Sequence, residues 1–153
     1  LGSMQASIGR YDEAAGSLEK ACRADSSHEE IWYNLGQVYY SLGRYTQSAD
    51  AFRNATRLNS EDALSWLGLG LAQNQSGKLD DALQSFDKAA LLQPQNIDAK
   101  YYKGLALVAQ NRFQEALHAF EGVLEIDPEN LNARYAVNLT QARLRGTALA
   151  RGA

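Results

Sequence analysis

The chain is poor in the residues that tie or interrupt a fold: among 153 residues it has one cysteine, two prolines and one methionine. The single thiol, Cys22, excludes an internal disulfide framework, fits a reducing and hence cytoplasmic compartment, and reads as structural or incidental. The two histidines, His28 and His118, lie far apart in sequence without an acidic cluster beside either, so no metal site and no histidine-based catalytic pair is visible. No apolar run approaches the ~18 residues of a membrane-spanning helix. Glycine-rich phosphate loops and nucleophile elbows are missing as well. Glu29-Glu30 and Asp80-Asp81 are the paired carboxylates, but both begin helical patterns, where negative charge complements the backbone dipole. The expectation is a non-enzymatic chain with no cofactor and no metal.

What the chain has in abundance is repetition. Gly9-Arg10-Tyr11, Gly43-Arg44-Tyr45, Gly77-Lys78-Leu79 and Asn111-Arg112-Phe113 recur with a fixed step of 34 residues. Around them the twentieth place of each unit is small (Ala14, Ser48, Ala82, Ala116) and the twenty-fourth large and apolar (Leu18, Phe52, Phe86, Phe120). Apolar residues at three- and four-residue spacing, such as Ile31, Trp32, Leu35, Val38, Tyr39 and Leu42, form one stripe of a helix. Gly43 ends that helix by accepting a left-handed backbone, and Asn111 is the next-best residue for the task. Gly36, Gly70 and Gly104 stand where a first helix meets the small residue of the second, which calls for close backbone approach. Pro94 and Pro128 stop second helices.

With Trp32 and Trp66 in the fourth place, Leu35-Gly36 and Leu69-Gly70 in the seventh and eighth and proline in the thirty-second, the pattern resembles the tetratricopeptide repeat. Lys100 and Lys103 depart from it at places four and seven. The resemblance implies an all-α, right-handed superhelical solenoid of antiparallel helix pairs. First helices are predicted over 29–42, 63–76 and 97–110, second helices over 10–24, 45–58, 79–92 and 113–126. The units are a partial repeat at 4–28, full repeats at 29–62, 63–96 and 97–130, a capping helix at 131–145 and a frayed tail at 146–153. Leu1-Gly2-Ser3 reads as a scar of tag cleavage, the alternative being that Leu1-Gly2 continues the repeat, and the chain as an excised segment of a longer repeat protein.

The family's ligand groove is lined by places two, five, six, nine, twelve and thirteen of the first helices. Carried over, these give Glu30, Tyr33, Asn34, Gln37, Tyr40 and Ser41, then Leu64, Leu67, Gly68, Leu71, Asn74 and Gln75. The fourth unit gives Asp98, Tyr101, Tyr102, Leu105, Val108 and Ala109, and the cap adds Tyr135 and Leu139. Contiguous apolar surface of this kind marks an interface. The plainer alternative is that some of these pack between hairpins, with Leu64, Leu105 and Val108 first among them. The lysine, arginine and asparagine clamp of heat-shock co-chaperones is absent, since places five and nine are Tyr33, Gln37, Leu67, Leu71, Tyr101 and Leu105. The asparagine ladder of O-linked N-acetylglucosamine transferase is absent too, with Asn34, Gly68, Tyr102 and Ala136 in place six.

Charge is uneven: residues 1–130 carry 18 acids against 11 bases, while 131–153 carry Arg134, Arg143, Arg145 and Arg151 and no acid. A basic end suits nucleic acid, but four arginines at a capping end read as solvation. The two sequons, at Asn54 and Asn138, are short enough to arise by chance. The resulting expectation is a protein-binding module for an apolar or amphipathic segment. A self-associating structural segment and the recognition arm of a larger enzyme are the alternatives.

Overall fold

The computed structural model describes residues 2–152, with side chains over 9–150; Leu1 of the expected tag scar lies outside the described residues. Eight helices and no strand are found there: α1 (Gly2–Ala24), α2 (Glu29–Ser41), α3 (Tyr45–Leu58), α4 (Ala63–Gln75), α5 (Leu79–Leu92), α6 (Ile97–Ala109), α7 (Phe113–Leu124) and α8 (Leu131–Gly152). Gly43, Gly77 and Asn111 take φ of 71°, 80° and 58°. Each left-handed residue lets the following amide turn back to the preceding helix: Arg44 N–H donates to the Tyr39 carbonyl, Lys78 to Gln73 and Arg112 to Leu107, all at 2.9 Å. Three of the four longer connections use a side-chain cap at place thirty-four, His28 before α2 making none. Asp62 accepts from Leu64 and Ser65, Asn96 from Ala99, and Asn130 from Ala133.

Two helices differ from expectation by more than two residues at an end. α1 runs unbroken through Gly9, which keeps a helical backbone where Gly43 and Gly77 turn left-handed. α8 continues past its expected end at Arg145 as far as Gly152, since alanine, leucine and arginine in the tail favour helix strongly enough to carry Gly146 and Thr147.

The chain divides into two compact units, residues 1–85 and 86–153, with the boundary inside α5. In the first, α1, α2, α3 and α4 pack in sequence. Ala15, Cys22, Leu35, Tyr39 and Ala51 form one buried cluster, and Ala49, Phe52, Leu69 and Ala72 a second. Trp32 and Trp66 send their indole N–H to the carbonyls of Ser26 and Ser60 at 3.0 and 2.9 Å. In the second unit α6, α7 and α8 pack in turn around Leu107, Phe120, Val123 and Ala133.

The place-eight glycine meets two residues of the second helix, the small one that its sequence position suggested and a large ring one turn later. A Cβ on Gly36 would lie 2.9 Å from three ring atoms of Phe52 at place twenty-four, and one on Gly104 would collide with the ring of Phe120. The small residue at place twenty acts on the backbone instead: Ser48 Oγ donates to the Gly36 carbonyl at 2.7 Å.

Tyr39, buried in the first cluster, donates its hydroxyl to Glu19 Oε1 at 2.5 Å. Burial, then that hydrogen bond and the Glu19 charge, push its pKa up from 10.0 to about 12. A phenol whose folded pKa is raised contributes stability that is intact below its unfolded value and is lost as pH rises through the folded one. Tyr39→Phe is therefore expected to cost about 1 kcal/mol at neutral pH. Urea denaturation followed into alkali should show the wild type losing that advantage between its unfolded value of 10.0 and about 12, with the variant flatter over the same window.

Candidate functional site

The first unit holds a concave pocket of about 450 Å³. Places five, nine and twelve of a helix are four and three residues apart and share a face, so α2 presents Tyr33, Gln37 and Tyr40 together, and α4 presents Leu64, Leu67, Gly68 and Leu71 opposite them. Tyr11, Val38, Ser41 and Phe52 complete the wall, and no lining residue carries a formal charge. Phe52 is the floor. A Cβ on Gly68 would approach its ring to 2.5 Å, so the ring lies between the backbones of Gly36 and Gly68. A larger residue at place six would occupy the hollow above it.

The walls are fixed by aromatic and polar contacts. Tyr33 meets Phe52 edge-on at 5.6 Å between ring centroids, and Tyr40 meets Tyr45 at 5.2 Å. Gln37 Nε2 donates to the Tyr33 hydroxyl at 3.0 Å. Burial, with Asp62 and Glu29 nearby, raises the Tyr33 pKa, so the phenol stays neutral and able to donate. Leu64 is 50% exposed, which corrects the expectation that it packs between hairpins. It lines the pocket instead.

Eight of the expected groove residues, Tyr33, Gln37, Tyr40, Ser41, Leu64, Leu67, Gly68 and Leu71, line the pocket, whereas Asn34 and Asn74 are half-buried and do not. In the second unit the tyrosines pack on their own core: Tyr102 stacks on Phe86 at 6.3 Å, and Tyr101 lies against both Tyr102 and Phe120, at 5.8 and 5.7 Å. Tyr102 thus covers Phe86, whereas in the first unit Gly68 puts no side chain on Phe52. Leu105 is 38% exposed, contrary to its expected packing, and Val108 is half-buried. Tyr135 and Leu139 are exposed on α8 in line with exposed Leu131. Sequence reasoning missed Tyr11 and Phe52 as groove walls, although Tyr11 belongs to the repeated Gly-Arg-Tyr motif.

Other sequence features resolve into structure. The Cys22 thiol is buried, and burial followed by the Glu19 charge pushes its pKa up, away from a reactive thiolate. Both sequons lie within helices with their threonines buried, Thr56 donating to the Arg53 carbonyl and Thr140 to that of Ala136. Lys103 pairs with Asp87 at 2.5 Å, and α6 keeps the helical register of the other first helices despite its two lysines. Among the described residues no group of three or more His, Cys, Asp or Glu could hold a metal, and no helix is long and apolar enough to cross a membrane.

Helix pairs on a 34-residue step, glycine or asparagine hinges and a first-helix groove define a helical repeat protein. The sequence profile of the tetratricopeptide repeat matches residues 33–97, 75–131 and 101–151, and a second TPR repeat profile matches residues 2–43. The chain belongs to the tetratricopeptide repeat family. No curated protein sequence matches it. Among solved structures it is similar to MamA (TM-score 0.86, 23% identity, covering 97% of this chain and 85% of that one). It is similar also to YrrB, described as a TPR protein with an unusual peptide-binding site (0.78, 26% identity, 94% and 74%). The first TPR domain of Spaghetti bound to an HSP90 peptide gives 0.74 at 21% identity, covering 79% of this chain and 96% of that one.

Proposed function

We propose that this chain is a non-catalytic protein-interaction module whose first unit holds an apolar or amphipathic segment of another protein. The observation that carries this is the uncharged pocket between α2 and α4, with its leucine and tyrosine walls and a ring floor. Pockets of that size take one or two large side chains, and tyrosines at their mouths supply hydroxyls to orient a backbone. Binding of peptides by YrrB and by the Spaghetti domain supports the class of function, while the absence of charged lining residues sets the occupant apart from an acidic tail. Tyr33, Gln37, Tyr40, Leu67 and Leu71 are the proposed contacts.

A second reading, self-association, rests on the exposed line of Leu131, Tyr135 and Leu139 on α8. The experiment that separates them replaces Leu64 with a photo-crosslinking benzophenone amino acid. A defined adduct with one apolar segment of a different protein, absent when the probe replaces exposed Leu91, supports the groove reading. An adduct between two copies of this chain supports self-association.

A further inference from the structure

The outer face of the second unit carries a cleft that the repeat pattern itself marks as incomplete. Trp32 and Trp66 each bond a serine carbonyl six residues earlier. One repeat further on, the corresponding residues are Lys100 and Pro94. Three more substitutions surround the same spot: place seven changes from Leu35 and Leu69 to Lys103, place eleven from Tyr39 to Leu107, and place twenty-six from Asn54 to Gly122. In the first unit the equivalent hollow, with Trp32, Leu35, Tyr39 and Asn54 in its walls, is about 340 Å³. In the second unit it opens to about 530 Å³.

The floor of this cleft is apolar, made by Ala90, Leu107, Ala119 and Gly122. Its lining charges are Asp87, Glu115 and Glu125 against Lys100 and Lys103. Lys103 pairs with Asp87, and Glu115 with Arg112. Lys100 makes no salt bridge among the described residues, and its stem crosses Gly122, where an added Cβ would lie 3.6 Å from its Cδ and 3.7 Å from its Nζ. His118 and Glu125 stand exposed among the remaining lining residues. The cleft thus combines the hollow that an indole borders in the first unit with a cation that no described carboxylate pairs.

We propose that this cleft is a second partner site, independent of the groove between α2 and α4, which takes an aromatic side chain flanked by a carboxylate. The ring lies on the Ala119 and Gly122 surface, in the space that this repeat does not fill with its own tryptophan, and the carboxylate pairs with Lys100.

Titration of the isotopically labelled whole chain with three short capped peptides, followed by amide chemical shifts, tests this. Asp-Trp-Asp is expected to shift the amides of Lys103, Ala119 and Gly122, and Asp-Ala-Asp to leave them in place. Lys-Trp-Lys should bind about tenfold more weakly, the loss of a charge-assisted contact. Lys100→Trp supplies the ring from within the chain, so it should abolish the Asp-Trp-Asp shifts and raise the melting temperature. Should that variant fail to fold, Gly122→Asn, which restores the first unit's residue, should abolish the same shifts. Equal shifts from Asp-Ala-Asp, no shifts from Asp-Trp-Asp, or shifts that survive the filling variant would each overturn the proposal, whatever the fate of the groove reading.

Discussion

Gly104→Leu is expected to destabilise the second unit by about 3 kcal/mol, the upper part of the range for overpacking a filled core. A Cβ alone would stand 2.7 Å from Cδ1 and Cζ of Phe120. The ring cannot retreat: Phe120 is fully buried and Tyr101 lies against it. Urea denaturation should show a lower midpoint with an unchanged slope. A companion change, Phe120→Leu, shortens the obstructing side chain and should return part of the loss in the double variant, since contacting residues are non-additive. Additive losses would show that the two residues do not meet.

That collision also shows what could be read from the sequence and what could not. The 34-residue step, the hinges at Gly43, Gly77 and Asn111, and the spans of α3 and α5 follow from local chemistry, because periodicity and left-handed residues act within one hairpin. The need for glycine at place eight was equally legible. The small partner at place twenty was legible too, as the hydrogen bond from Ser48 to Gly36 shows, but the ring of Phe52 or Phe120 was not, because its reach over the glycine depends on how the two helices pack. The groove divides in the same way. Place numbers put Tyr33 and Tyr101 at equivalent positions, yet Tyr33 lines the pocket while Tyr101 lies against Tyr102 and Phe120. The place-six residues one repeat further on, Gly68 and Ala136, are both small, so place numbers alone do not separate the two tyrosines. The expected helix ends fell furthest from the observed ones in α1 and α8, which run on through Gly9 and Gly146.

Leu64→Glu is expected to weaken binding of the partner segment by about 30-fold, equivalent to about 2 kcal/mol at a hot spot. Leu64 suits the test better than a tyrosine pair such as Tyr33 with Tyr101, because Tyr101 supports Phe120 and its removal would disturb the fold as well. Leu64 is half exposed, so the change should alter stability by less than about 0.5 kcal/mol. Within the pocket, however, the new carboxylate would be desolvated by the ligand with no cation among the lining residues to pair it. Arg143→Ala with Arg145→Ala, at the basic end, should weaken binding less and mainly by slowing association at low salt. Calorimetric titration of the crosslinked segment against both variants gives the ranking. If the arginine pair proves the more damaging, the site belongs on α8; if Leu64→Glu leaves partner affinity unchanged while dissolving an oligomer seen by light scattering, the groove is filled by a second copy of the chain.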